Sequence, residues 1–376
     1  MAELVTYRSV YRRPFPNFGK PKIIGYIGLE NLKYVQSIEE KNVNYDLNLG
    51  IRQAKRKPPD LDVKLTELLK FLLENERLLN LPVHNHLESA QFFCYRGLLT
   101  CIACTPYEQR EPWTIAVILY KGNIYLCARY TEENLKKKIA MANGCFTSWG
   151  FKFEQYIQSD KPDKPPDPSV PVDETEEFSL VFTTNLNRHK IVYGAEMDGI
   201  RCDQSHVSLP PSSKDPQEVL KYLSTKNFVE LKTSRHIEFS KQELNFKKLK
   251  TIRWWCQSFL TGVETILCGF RDDSGIVEQL KTYRVNDLPN ISKNFWDPNV
   301  CFNFLDDFFT FVKRCLAREI ERKHGSEGLH NIQSLPLISL LFEWRPEHNV
   351  HVSNYSHEDD PILLDWFLER YGKTST

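Results

Sequence analysis

The stretch "YGAEMDGIR", Tyr193–Arg201, has the apolar residues of a strand and two acids that a strand does not need. Val192, Tyr193, Ala195 and Met197 surround Glu196 and Asp198, which stand two positions apart. Strand side chains alternate between faces, so residues two apart share one. Two carboxylates on one face repel, and inside a protein the pair is costly unless a cation or proton compensates it. A second segment supplies a cation. In "NFVELKTSR", Asn227–Arg235, Glu230 and Lys232 share a face while Val229 and Leu231 take the other.

Outward from these two strands, the pattern mixes strands and helices. "FSLVFTT" reads as a further strand before Tyr193. "WTIAVILY" and "NIYLCARY", joined by Lys121-Gly122, read as a β-hairpin, and "VETILCGFR" and "IVEQLKTYRV" as a second, turning at "DDSG". Helical spacing of Val63, Leu65, Leu68, Leu69, Leu72, Leu73 and Leu79 predicts a helix over Asp62–Asn80. Others are expected after Thr131, through "CFTSWGFKFEQYIQ", over about Lys241–Leu260, from Asp297-Pro298 to near Gly325, and in "DPILLDWFLERYG". "LISLLFEW" is a late strand, and "YRGLLTCIACTPY" also reads as strand. The expectation is an α/β (α+β) fold: mixed β-sheets flanked by helices in a single large domain. Residues 1–60, with five prolines, are expected to form an irregular segment packed on a catalytic domain of residues 61–376. The Pro- and Asp-rich "SDKPDKPPDPSVPVDETEE" reads as a surface loop rather than a domain linker.

Composition narrows the classes. With 376 residues and 41% apolar content, a substantial core is available. A formal net charge of zero means that any nucleic-acid surface must be local. No run of about 18 apolar residues offers a membrane span, and "MAELVTYRSVYRRPF" lacks the apolar centre of a secretory signal. The reading is an intracellular protein. "RQAKRKPP" reads as a solvated loop, with a nuclear signal as the alternative. Ten scattered cysteines are then reduced core residues. Cys101 and Cys104 form a CxxC near Cys94 and Cys127, but no second CxxC follows, which favours buried thiols over zinc.

Glu196, Asp198, Glu230 and Lys232 form the pattern of the PD-(D/E)xK nuclease core: a carboxylate on one strand, then Glu-x-Lys on the next. Carboxylates of that kind hold Mg²⁺ or Mn²⁺. A held ion activates water for attack on phosphorus, and a lysine stabilises the oxygens around it. Such triplets also arise by chance on the wet face of a sheet. Two further polar residues in apolar helical stretches need partners, Glu154 in "GFKFEQYI" and Gln257 in "IRWWCQSFL".

"CYRGLLT", "GFKFEQY", "AEMDGI", "ELKTS" and "WWCQSFL", in this order, resemble the successive motifs of the decapping exoribonuclease (DXO) family, which trims RNA 5′ ends. The resemblance spans about Tyr95 to Trp344. It implies two divalent ions, Mg²⁺ or Mn²⁺. Glu154, Glu196, Asp198 and Glu230 would bind them together with the backbone carbonyl of Leu231, and Asp198 would bridge the two. Lys232 would contact the attacking water or the scissile phosphate. Arg96, flanked by Tyr95 and Gly97 in "YRG", would grip a phosphate near the 5′ end with its forked donors. Glu196 and Gln257 would lie beside the substrate, and Ser179 would touch it, a match resting on spacing alone. One departure is Lys64, where the family pattern places an acid; Asp62 or Glu67 would substitute for it, or the contact would be absent.

The implied activities are removal of incomplete guanosine caps and NAD caps, pyrophosphate release from triphosphorylated RNA, and 5′-to-3′ digestion of monophosphorylated RNA. A separate 5′-3′ exoribonuclease is a further implied partner, the nucleus the implied compartment, and a monomer without membrane association the expected state. The rival readings are a binding or activating scaffold without metal ligands and a DNA-directed nuclease with an open groove.

Overall fold

The computed structural model describes residues 3–58, 61–76, 85–142, 145–203, 206–211 and 215–374. Among them two mixed sheets form. The nine-stranded sheet runs, in spatial order, Glu3–Leu4, Val350–Asn354, Ile338–Trp344, Trp113–Tyr120, Asn123–Arg129, Phe92–Tyr95, His189–Glu196, Ser179–Leu186 and Lys22–Ile27. The seven-stranded sheet runs Lys41–Asp46, Ile276–Arg284, Thr265–Arg271, Phe228–Arg235, Gly199–Arg201, Tyr34–Val35 and Gln158–Ser159. The mixed, helix-flanked single domain expected from the sequence is the one observed.

Strand alternation sorts the core into layers. Ile115, Val117, Ile266, Cys268 and Phe270 face a shared interior, filled by helices Arg96–Cys104, Thr251–Phe259 and Pro298–His324. Phe93, Ala116, Ile118 and Val192 point to the other side of the larger sheet, under helix Thr66–Glu74 and Phe367. Val229, Leu231 and Leu267 point to the other side of the smaller one, under Trp149, Phe153 and Ile157 of helix Cys145–Ile157. The long helix opens as its sequence predicts. The Asp297 carboxylate accepts from the Asn299 amide, Pro298 takes the first turn, and Gly325 ends it at φ 71°.

The Lys121-Gly122 turn has φ 49° and 78°, the left-handed pair that two-residue hairpins require. The Lys241–Leu260 prediction is met by helix Ser240–Asn245, a π-turn over Phe246–Lys250 and helix Thr251–Phe259. Helix Thr66–Glu74 realises the first predicted helix, of which positions 77–80 lie outside the described residues.

Three expectations are corrected. "RGLLTCIAC", Arg96–Cys104, is a helix, because Leu98, Leu99, Ile102 and Ala103 recur at helical spacing and are all buried. The first 60 residues are not irregular. They place Glu3–Leu4 and Lys22–Ile27 in the larger sheet and Tyr34–Val35 and Lys41–Asp46 in the smaller. Finally, the Tyr193–Arg201 stretch is not one strand. Its pairing in the larger sheet ends at Glu196, and Gly199 opens a strand of the smaller sheet. Met197 and Asp198 carry the chain from one sheet to the other.

Candidate active site

Asp198 sits where the backbone ladder of the smaller sheet runs out. Gly199 and Ile200 pair with Val229 and Phe228, and beyond them the Leu231 amide has no strand partner on that side. The Asp198 carboxylate takes that place, Oδ2 accepting from Leu231 N at 2.5 Å. The Asp198 carbonyl accepts from Gln158 Nε2 at 2.7 Å. Gln158 lies four residues after Glu154, so it ties the helix that carries one acid to the crossover that carries another. That helix sits close on the sheet because residue 269 is glycine. A Cβ there would stand 2.4 Å from the Phe153 ring.

Glu230 is buried, and its two oxygens face two cations: Lys232 Nζ at 2.5 Å and Arg96 Nη1 at 3.3 Å. Arg96 is the first residue of helix Arg96–Cys104, entered directly from strand Phe92–Tyr95. Glu196 is exposed and makes no hydrogen bond or ion pair among the described residues. Directly opposite it on the neighbouring strand is Ser179. A cavity of about 370 Å³ opens here, lined by Glu154, Gln158, Glu196 and Asp198 on one side. The larger cavity of about 640 Å³, between the Gly25–Glu30 segment and helix Thr66–Glu74, contains none of these acids. Its lining carries a separate set of charges, Glu30, Glu67, Glu74, Lys70 and Lys190.

Four carboxylates thus confront two cations, and the imbalance shows in their protonation. Burial, then Asp198 and Glu196, push the Glu154 carboxyl well above its ordinary range. Burial, then Glu230, push Asp198 up to about 7, against Lys232 and the Leu231 amide. Burial alone would raise Glu230 too, but Lys232 and Arg96 outweigh it and hold it ionised below the usual range. Burial would lower Lys232, yet Glu230 and Asp198 hold its pKa above that of a free lysine. The two half-buried acids without a paired cation therefore retain their protons more tightly than a free carboxyl, and the buried one with two cations gives its proton up.

Among the described residues, no three or more His, Cys, Asp or Glu side chains stand ready-made to hold a metal ion. The oxygen donor set nevertheless suits a hard divalent cation. Burial and mutual repulsion raise both Glu154 and Asp198, and a divalent charge would relieve both.

Other predicted residues fall in different places. Gly97 is exposed in the first turn after Arg96. Tyr95 packs with the apolar cluster on the far side of the larger sheet, and its hydroxyl accepts from the Leu68 amide at 3.2 Å. Among the described residues no hydrogen bond or ion pair joins it to the acids. Gln257 is partly buried on a helix packed against Arg96–Cys104 through Cys104 and Cys256, whose sulfurs are 3.7 Å apart. Among the described residues its amide makes no hydrogen bond to the acidic cluster. Lys64 is remote from the cluster, bonded to Asp360 Oδ1 at 2.8 Å and to the Pro361 carbonyl. The family departure at that position is a structural anchor for the C-terminal segment.

Sequence reading missed the wall opposite the acids. The Pro- and Asp-rich loop is a surface loop, but Asp160, Lys164, Asp167 and Asp173 line the cavity. Lys33 bridges its Asp160 and Glu176, Gln36 donates to its carbonyls, and Lys55 pairs with Asp173. Lys55 thereby docks its part of the basic piece "RQAKRKPP" on this loop. Gln158 was missed too, though its place one turn after Glu154 was a visible signal.

Comparison with known proteins decides the family. The model of the RAI1-like PD-(D/E)XK nuclease matches residues 26–368. The chain belongs to the RAI1-like PD-(D/E)XK nuclease family. Family relatives include the decapping and exoribonuclease protein of Homo sapiens, 30% identical over 388 residues, covering 97% of this chain and 89% of the relative. The Xenopus laevis protein of the same name is 29% identical over 390 residues, covering 98% and 90%. Two solved structures share the fold of this RAI1-like nuclease. Rai1 of Scheffersomyces stipitis, in complex with (3'-NADP)+ and calcium ion, has a TM-score of 0.76 at 20% identity, covering 99% of this chain and all of the other. Rai1 of Candida albicans, in complex with pU5-Mn2+, has a TM-score of 0.74 at 18% identity, covering 99% of each. The RAI1-like nucleases are hydrolases, which agrees with the chemistry of the acid-lysine pair.

Proposed function

We propose that this protein is a divalent-metal-dependent hydrolase of RNA 5′ ends. The observation that carries the reading is the acid cluster at the sheet crossover. Glu154 and Asp198 are raised by burial and repulsion beside a Glu230 that already has two cations. Glu154, Glu196, Asp198, Glu230 and the Leu231 carbonyl would hold two ions, Mg²⁺ or Mn²⁺. Such ions, when bound, supply an activated water and offset charge on the phosphoryl oxygens.

The remaining work falls to the chain's own groups. Lys232, half-buried and held charged by Glu230 and Asp198, presents an ammonium to the oxygens that gain charge in the transition state. Arg96 offers a planar fork to a terminal phosphate. Glu230 holds both cations in place, so their positions are set before substrate arrives. Ser179, opposite Glu196, borders the same edge. The wall made by residues 160–173 confines the cavity, which favours a free strand end over an internal segment.

The nucleotide and pU5 complexes of the two Rai1 structures support 5′-end recognition, and their calcium and manganese support a divalent ion. On this reading one site removes incomplete guanosine caps and NAD caps, releases pyrophosphate from triphosphorylated RNA and digests monophosphorylated RNA. Each is attack of water on phosphorus, differing in how the 5′ group is seated. The test is a panel of RNAs differing only at the 5′ end, incubated with Mn²⁺ or EDTA. Ion-dependent release of mononucleotides from linear 5′-monophosphate RNA, with circular RNA spared, is expected. Cleavage that survives the D198A/E230A double substitution overturns the site assignment.

A further inference from the structure

Glu230, Lys232 and Ser234 occupy alternate positions of strand Phe228–Arg235 and share its interior face. The first two belong to the acid cluster. The third, buried to 3% exposure, receives a hydrogen bond from outside the strand: Lys250 Nζ donates to Ser234 Oγ at 3.0 Å. Lys250 is the last residue of the π-turn Phe246–Lys250, a rare widening inserted between two α-helical segments. The inserted turn ends on this lysine, just before the helix that carries Gln257. Gln257 is seven residues on, two turns along the same side of that helix.

Lys250 differs from Lys232 in one respect. Lys232 has Glu230, whereas Lys250 meets no carboxylate among the described residues. Lys250 is exposed; desolvation of its ammonium, opposed by Cys268 and aided by Arg271, holds it below the usual lysine range. An exposed ammonium anchored on a buried hydroxyl, with no acid beside it, keeps donors open to an anion arriving from solvent. Successive same-face residues of a strand are about 7 Å apart, a stride comparable with one extended nucleotide.

We propose that Lys250, braced by Ser234, binds the backbone phosphate that follows the scissile one in the RNA strand. Lys232 then serves the phosphate under attack, and Lys250 the next along the same strand face. The contact is to the backbone, so it is sensitive to salt and indifferent to base. It deepens the proposed function and rests on that reading for the direction of the strand.

The test measures binding apart from hydrolysis. A 5′-monophosphate oligoribonucleotide with a 3′ fluorophore is titrated in EDTA with the wild type, K250A, K250R, S234A and a distant charge control, K136A. Anisotropy gives Kd between about 50 and 200 mM KCl. K250A is expected to raise Kd about tenfold and to reduce the slope of log Kd against log salt by about 0.7, one single-strand phosphate contact. K250R should recover most of the affinity, and S234A should show a smaller loss. A K250A shift no larger than that of K136A, or an unchanged slope, overturns the proposal. Hydrolysis of the same RNA with Mn²⁺ is followed in parallel. A wild type that binds but does not cleave, with K250A weakened, upholds this contact and overturns the hydrolase reading. A wild type that binds no RNA overturns both.

Discussion

Replacing Asp198 with asparagine should stabilise the protein in EDTA and remove its response to manganese. Asp198 is held at a pKa of about 7, from an ordinary 3.8, by burial first and by Glu230 next. A pKa raised by about three corresponds to about 4 kcal/mol between the two protonation states. The sign follows from proton counting. Between about pH 4 and 7 the folded protein keeps a proton that the unfolded chain has lost, so stability falls as pH rises through that window and levels off above it. Glu154 is displaced in the same direction and adds to the fall. Asparagine cannot ionise, and its amide oxygen can still accept from Leu231. For 376 residues the unfolding entropy is about 0.8 kcal/mol/K, so relief of about 4 kcal/mol is worth about 5 °C. In EDTA at about pH 8, D198N should therefore melt up to about 5 °C above the wild type, with no advantage at about pH 4. Manganese at about 100 times its Kd should stabilise the wild type by about 2.7 kcal/mol, or about 3 °C, at about pH 8. At about pH 5 it should do almost nothing, because protons must leave before the ion enters. Differential scanning calorimetry of both proteins, with and without manganese, reads these differences. Raw pH curves would not, since His189 and His357, both lowered by burial, gain stability as pH rises. A D198N melting point below wild type at about pH 8, or a manganese response indifferent to pH, would refute the electrostatic account of the site.

Gln158→Leu should leave the circular dichroism spectrum intact and weaken manganese binding several-fold by calorimetric titration, because the Asp198 carbonyl loses its 2.7 Å donor. Unchanged affinity would show that Gln158 does not position the crossover. Tyr95→Phe separates docking from substrate contact. Loss of the bond to the Leu68 amide should reduce stability by about 1 kcal/mol while the Kd for RNA stays put, and a weakened Kd would return Tyr95 to the substrate site. His189, fully buried and lowered to about 3 by desolvation and then by Lys313, should make the fold acid-sensitive. The unfolded chain takes up the proton first, so stability is intact above about pH 6.5 and lost as pH falls toward about 3. H189Q should flatten that acid limb of the melting curve by about one proton, and an unaltered limb would exclude His189 as its source.

The strands that carry Glu196, Glu230 and Lys232 were legible because alternation leaves acids on a face where a bare sheet has no use for them. Glu154 was legible only as a polar residue in an apolar helix, and its approach to Asp198 depends on Gly269, 115 positions away in the chain. "YRGLLTCIAC" was misread because a short apolar run fits a buried strand and a buried helix alike. There the spacing of Leu98, Leu99, Ile102 and Ala103 held the answer. The N-terminal strands were hidden by their prolines. Pro14, Pro16 and Pro21 precede Lys22–Ile27 and interrupt none of its pairing with Ser179–Thr183.

The crossover could not be read from local pattern, and it explains the spacing of the motif. Glu196 is the last residue of the ladder in one sheet, facing Ser179, and Gly199 is the first in the other, facing Val229. Gly199 passes so close to the Lys33 carbonyl that a Cβ would stand 3.2 Å from it, which keeps the gap short. Only two residues fit between the sheets. Met197 fills the interior, and Asp198 completes the hydrogen bonding of a strand that has no neighbour left. A strand end that lacks a neighbour leaves an amide in need of an acceptor, and a carboxylate meets that need more strongly than a carbonyl. The second acid is therefore fixed by the seam between the sheets. The first, Glu196, is freed by the same seam, because it lies where the ladder stops and its side chain is exposed to the cavity.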